Sequence, residues 1–224
     1  LEMNNINQNP SNCHFKILKL NPRGEFETFK EFALNDINCF DAILLKDTTD
    51  MIYLSTNRGF AKLLLKTITL LPLQIIPSYV YNSQNNYSLD DRMFLQKIEQ
   101  NLGSSKPIKI IETNNPDELL LTFETFAIFI DRNTDLLSRF DIIHFNVNVE
   151  NIAFKNNAIF AIRNNVIEVF KIHNHRVLEN GQRSNKFLSH EQVVVAENIS
   201  LIDSSSSSIT VVLDHPTEGS SHQL

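Results

Sequence analysis

His173, His175 and Glu179 are the residues of this sequence that come nearest to a metal pattern. Positions two apart on a strand share a face, so two imidazoles at a strand end could converge on one cation, with the carboxylate as a further ligand. Two close ligands on a polar stretch fall short of the four donors that zinc takes, and the segment reads as an ordinary loop. His190 beside Glu191 has the residue types of a general base and an acid to orient it, but no nucleophile in a recognisable setting stands nearby, so a solvated turn is expected there. The carboxylate pairs Asp90–Asp91 and Asp117–Glu118 occupy places where helix starts and turns favour acidic residues. Phe123, Phe126 and Phe129 could cage a ligand, yet aromatics that flank a tight turn between strands are expected to fill a core. Cys13 and Cys39 are too few for a disulfide framework or a structural zinc site and read as small buried or surface residues.

The phosphate-binding, zinc-protease, nucleophile-elbow and dithiol patterns (GxGxxG, GxxxxGK[ST], HExxH, GxSxG, CxxC) are all missing from the sequence. No catalytic, cofactor-binding or metal-ligating residue is therefore assigned, no cofactor is expected, and the chain is read as not an enzyme in itself. The formal charge of −6, with no block of Lys and Arg, argues against a nucleic-acid partner, because such proteins cluster cations to replace phosphate counterions. The longest apolar stretch, Leu63 to Pro77, is broken by Lys66, Thr67, Thr69, Pro72 and Gln74, and so falls short of the roughly 20 apolar residues that span a bilayer. The polar, Asn-rich start, residues 1–12, does not have the form of a secretory signal and is expected to be disordered. A cytoplasmic setting follows from these readings.

The elements that would position any site are short apolar runs bounded by turn residues, which predicts an all-β architecture. Strands are expected over Phe15–Leu20, Cys39–Leu45, Met51–Thr56, Phe60–Leu65, Ile108–Thr113, Glu118–Phe123, Ala127–Asp131, Ile142–Phe145, Ala158–Arg163, Val166–Ile172 and Ile209–Leu213. Asn164 and Asn165 separate two of these runs by two residues that tolerate positive φ, the signature of a tight hairpin. Asn114–Asn115 and Asn156–Asn157 are expected to take left-handed positions in the same way, in a chain with only 5 glycines. Ile128–Ile130 and Ile159–Ile162 are apolar at successive positions, which implies sheets covered on both faces, as in a propeller blade; a two-sheet sandwich would alternate more cleanly. One amphipathic helix is predicted over Leu89–Leu102, capped by Ser88 with Asp91, carrying Leu89, Met93, Ile98 and Leu102 on its apolar stripe and ended by Gly103. It is expected to pack on the rim of the sheets. Tyr79–Tyr87 and Ser204–Ser208 read as surface loops.

Three stretches resemble the citron-homology (CNH) domain of fungal Rho-type guanine-nucleotide exchange factors. MIYLSTNRGF (Met51 to Phe60) is similar to a strand and turn of that family, with Gly59 and Phe60 in the matching places. SLDDRMFLQKIEQNLGSSKPIKII is similar to its short acidic helix and the Lys-Pro-Ile step that follows, here Lys106 to Ile108. ELLLTFETFAIFIDRN (Glu118 to Asn133), followed downstream by NAIFAIRNNVIEVFKI, carries the most specific likeness. Thr134 stands where the family has a turn glycine, and IIHFNVN stands for a Trp-containing strand.

The resemblance implies a seven-bladed β-propeller. At roughly 40 to 45 residues per blade the chain supplies only about five, so residues 13–224 are expected to be the C-terminal portion of a larger propeller whose remainder precedes Leu1 and Glu2. VVVAENISLIDSSSSSITVVLDHP is similar to the family's closing blade. It further implies a regulatory, non-catalytic protein-interaction module that accompanies an exchange factor, with a small GTPase of Rho type as partner and recruitment to membranes only peripherally, through the full-length protein. Related CNH domains in vacuolar or endosomal tethering subunits, which bind Rab-type GTPases, and in kinases supply the alternatives.

Overall fold

In a computed structural model of the chain, the described residues are 2–4, 12–45, 50–75, 89–146, 148–163, 166–172, 177–179, 182–184, 188–195, 199–204 and 209–213. Side chains are described for 12–45, 50–75, 93–139, 142–146, 148–163 and 166–172. The chain divides into two compact units, Leu1–Pro72 and Leu73–Leu224.

The first unit holds two antiparallel sheets. β1 (Glu2–Asn4), β2 (Asn12–Leu20) and β3 (Phe26–Asn35) form one, in that order. β4 (Cys39–Leu44), β5 (Met51–Thr56), β6 (Gly59–Leu64) and β7 (Thr69–Pro72) form the other, again in chain order. In β1, Glu2, Met3 and Asn4 lie opposite Lys16, Phe15 and His14, while residues 5–11 lie outside the described residues. β3 and β7 were not anticipated. Of the ten residues of β3 only Leu34 is buried, with Lys30 and Phe32 half-buried and the other seven exposed, so an edge strand gave no apolar pattern to read.

In β2, Cys13, Phe15 and Ile17 are buried at alternate positions, the period of a strand with one covered face. They join Leu34, Cys39, Ile52, Leu54 and Leu63 in a single apolar cluster, with the rings of Phe15 and Phe32 stacked 5.2 Å apart. The β5–β6 turn needs Gly59. Asn57 and Arg58 have negative φ while Gly59 sits at +106°, the left-handed residue that follows a type I turn in a bulged hairpin. Thr56 Oγ1 accepts from Arg58 N at 3.1 Å and donates to the Gly59 carbonyl at 2.7 Å, which locks the turn.

The second unit begins with α1 (Leu89–Ser104) and the four-stranded sheet β8 (Pro107–Glu112), β9 (Glu118–Phe123), β10 (Phe126–Asp131) and β11 (Leu137–His144). β12 (Asn151–Lys155), β13 (Ala158–Arg163) and β14 (Val166–Ile172) follow. Next come the small hairpin β15 (Val177–Glu179) and β16 (Gln182–Ser184), then β17 (Leu188–Val195), which joins β12-β13-β14 as fourth strand. β18 (Ile199–Ser204) pairs with β19 (Ile209–Leu213). Where the reading placed strands, strands stand, several with the same bounds: Met51–Thr56, Glu118–Phe123, Ala158–Arg163, Val166–Ile172 and Ile209–Leu213. Ser88 and Tyr79–Tyr87 lie outside the described residues, as do 205–208.

β9 is buried along its whole length and β10 at every residue before Asp131, as expected of strands covered on both faces. Leu120, Ala127, Phe129 and Ile143 of this sheet cluster with Ile152 and Phe170 from the neighbouring sheet. The helix corrects its predicted stripe: Met93 is exposed, Leu95 and Ile98 are buried, and Gly103 lies inside the last turn. That turn closes through Ser104 Oγ, which donates to the carbonyls of Gln100 and Asn101. Asn156 and Asn157 take φ of 49° and 59° between paired Lys155 and Ala158, as a two-residue hairpin requires. Asn114 and Asn115 do not. Their turn is held by Thr113 Oγ1, which donates to the Asn115 carbonyl and accepts from its N–H. Asn164 and Asn165 lie outside the described residues, but Arg163 pairs with Val166, the register their hairpin demands.

Candidate functional site

Of the residues singled out for chemistry, those described stand within strands, turns and the helix. His173 and His175 lie outside the described residues, and the Glu179 backbone pairs with Gln182 in the β15–β16 hairpin. His190 corrects the expectation of a turn: it lies within β17, opposite Phe170, beside a register shift that passes over Glu191. Asp90 and Asp91 fall in the first turn of α1. Asp117 is in a turn, but Glu118 is not. It starts β9 with its carboxylate buried, a role that sequence proximity to Asp117 concealed.

Glu118 is the focus of a buried polar cluster in the second unit. Arg139 donates from Nε to Oε1 at 2.7 Å and from Nη2 to Oε2 at 2.5 Å, a two-point match of guanidinium and carboxylate, while Ser138 Oγ donates to Oε1 at 2.7 Å. The guanidinium carbon also lies 4.1 Å from the centre of the Phe129 ring. Glu118 and Arg139 stand on β9 and β11, the two strands that flank β10, so the pair ties the sheet together across its middle strand. A second buried carboxylate, Glu168 on β14, accepts from the Asn146 backbone N–H at 3.0 Å and from its side-chain amide at 2.5 Å. A charge held this way is satisfied by fixed donors.

The aromatic trio packs as a core. Phe123 and Phe126 stack at 4.3 Å across the turn formed by Glu124 and Thr125, and all three rings are buried. The turn is itself embedded: Glu124 donates its N–H to the Lys106 carbonyl, and the carbonyls of Glu124 and Thr125 accept from Val149 and Phe145.

The turn in which Thr134 replaces glycine is rebuilt around Asp131. Its Oδ1 accepts from the N–H groups of Asn133 and Thr134 and from the Thr134 hydroxyl, and the left-handed conformation falls one residue later, on Asp135 at φ 63°. These bonds, the Thr134 N–H foremost, hold the Asp131 carboxyl below its ordinary value. A group with a lowered folded pKa contributes stability above its unfolded value, near ~3.9, and loses it as pH falls through the folded value. Asp131→Asn is therefore expected to flatten the acid limb of stability, read from urea midpoints between about pH 6 and pH 2. Asp131→Ala is expected to cost on the order of 1 kcal/mol at neutral pH through the lost hydrogen bonds.

In the first unit, Cys13 and Cys39 are both buried free thiols that belong to the same apolar cluster. That shared cluster was not legible from residues 26 apart in sequence. Among the described residues no group of three or more His, Cys, Asp or Glu could hold a metal ion, and no helix is long and apolar enough to cross a membrane.

Short antiparallel sheets built mostly from consecutive strands, with the β15–β16 hairpin inserted before the fourth strand of one, are the pattern of propeller blades. The model of the CNH domain family matches residues 6–190. The chain belongs to the CNH domain family. Among solved structures, this CNH chain is similar to the AfRom2 CNH domain, with 21% identity and a TM-score of 0.60 over 91% of this chain and 54% of that one. It is also similar to the Cps50 (Swd1) β-propeller domain of Myceliophteria thermophila, with 11% identity and a TM-score of 0.52 over 78% of this chain and 53% of that one. The chain thus spans about half the length of the propeller domains it resembles. No curated protein matches it. The fold is that of β-propeller domains, and the family is one of protein-interaction modules.

Proposed function

We propose that this CNH domain is the non-catalytic interaction module of a Rho-type guanine-nucleotide exchange factor, working on the cytoplasmic side of the cell and contacting a small GTPase. The family match over residues 6–190 carries the reading, and the likeness to the AfRom2 CNH domain favours the exchange-factor setting over tethering subunits and kinases. The polar groups agree with a scaffold: the buried carboxylates of Glu118 and Glu168 are held by fixed donors inside the sheets. Since the chain spans about half of the propellers it matches, we further propose that it forms part of a longer propeller, and that partner binding needs the complete ring.

The test is a pull-down with the complete propeller against a panel of Rho and Rab GTPases, each loaded with GDP or with a GTP analogue. Retention of a Rho-type member in at least one nucleotide state is the expected result. Retention of Rab members alone would transfer the domain to the tethering class, and retention of none would overturn the GTPase partner.

A further inference from the structure

The strands β2 and β3 are covered on one face only. Cys13, Phe15 and Ile17 of β2 and Leu34 of β3 enter the cluster built with Cys39, Ile52, Leu54 and Leu63 of the β4–β7 sheet. The alternate residues of β2 point the other way: His14 and Lys16 are exposed, Leu18 is half-buried and Leu20 is 55% exposed. β5, β9 and β10 are middle strands as β2 is, yet each is buried at all positions or all but one, so both of their faces are covered.

A bulge gathers apolar side chains on the bare face. Ile17 pairs with Lys30 and Leu18 with Thr28, which leaves Phe29 as the extra residue. That residue reverses the phase of β3. Leu34, Phe32 and Lys30 turn toward the covered side, whereas Thr28 shares the side of Leu18, and Phe26 that of Leu20. Phe29, next to Lys30 along the strand, points away from the covered side as well. Phe26, at 74%, is the most exposed large apolar side chain among the described residues, and Phe29 follows at 59%. The other end of the same face is polar, with His14 lying 3.6 Å from Glu31.

We propose that this face is a seat between blades, and that its occupant is a further antiparallel blade of the same propeller, which lays an apolar sheet face on Leu20, Phe26 and Phe29. The proposal rests on the reading that the chain is part of a longer propeller. A blade inside a ring has a neighbour on each face, and β2 and β3 have a covered face and a bare one. This chain covers 54% and 53% of the two propeller domains it matches, so the shared fold holds further blades that can supply the second neighbour. Single exposed apolar residues are ordinary on a surface, but three large ones gathered at one end of one sheet face mark a surface built for contact. A sheet face is the partner that fits another sheet face, with side chains interdigitating across a spacing of about 10 Å.

The experiment compares two neighbouring positions, Phe26→Cys on the bare face and Glu27→Cys, which shares the side of Lys19, in this chain and in the protein that carries the complete propeller. Cys13 and Cys39 are buried, so fluorescein maleimide reports the introduced thiol. In this chain both thiols are expected to react fast. In the complete propeller Phe26→Cys is expected to slow by about tenfold or more while Glu27→Cys keeps its rate. Phe26→Ala is expected to lower the urea midpoint of the complete propeller and to leave that of this chain in place. Small-angle scattering of the complete protein reads the ring independently. A closed ring in which Phe26→Cys stays as reactive as in this chain would overturn the seat and leave the longer propeller standing, and a shape other than a ring would overturn both. Equal slowing of the two thiols would overturn the seat too, as a loss of access not confined to this face. Protection that disappears on dilution would assign the face to a second copy and overturn the proposal.

Discussion

Arg139→Ala is expected to destabilise the second unit by about 3–5 kcal/mol, because it strands the Glu118 carboxylate in a buried site without its counter-charge. The side chains are 14% and 4% exposed, so water replaces little of what the guanidinium supplies. Its loss removes two charge-assisted hydrogen bonds and the contact with the Phe129 face together. Arg139→Lys is expected to recover only part of the loss, since a point charge on a flexible stem cannot reproduce the planar fork or stack on the ring. The combined replacement Glu118→Leu with Arg139→Met separates the cost of breaking the pair from the worth of having it. A buried ion pair exchanged whole for apolar groups of similar volume is often neutral or stabilising, so the double variant is expected to unfold at a higher urea concentration than Arg139→Ala. Equal midpoints for Arg139→Ala and the parent would show that the carboxylate is not dependent on its partner.

Phe126→Ala carries a comparable expected cost, about 3–5 kcal/mol, from lost transfer free energy and the cavity left beside Phe123. Phe126 is 1% exposed and its ring stacks on Phe123 at 4.3 Å, so the turn between them has little room to collapse into the gap. Phe26→Ala supplies the contrast: at 74% exposure its truncation is expected to stay within about 0.5 kcal/mol. Thermal or urea unfolding of the two variants also distinguishes a core from a ligand cage. Rings held ready for a ligand would leave the stability of the unliganded chain nearly unchanged when truncated, whereas core rings would not.

How much of this was legible in the sequence differs from element to element for physical reasons. β9 and β10 could be read to within a residue because both faces are covered, and burial on two sides demands unbroken apolar residues whatever the neighbours. β3 could not, since an edge strand with mostly exposed side chains needs no apolar pattern; its pairing with β2 is made by backbone groups that every residue carries. The β15–β16 hairpin had a signal that the reading passed over, Asn180 followed by Gly181 between Glu179 and Gln182. On the helix, Met93 and Leu95 are equally apolar residues, and only packing decided that Leu95 is buried.

By itself the sequence determined the all-β class, most of the central strands, the helix that opens the second unit's described part and the likeness to CNH domains, because each rests on local periodicity or on ordered short motifs. It also placed Phe123, Phe126 and Phe129 in a core, since large rings beside a tight turn have nowhere else to go. Only the tertiary structure decided that Glu118 meets Arg139, that Glu168 holds Asn146 and that Cys13 and Cys39 join one apolar cluster. Such meetings depend on which strands become neighbours and in what register, and a register is a property of the sheet, not of either strand alone.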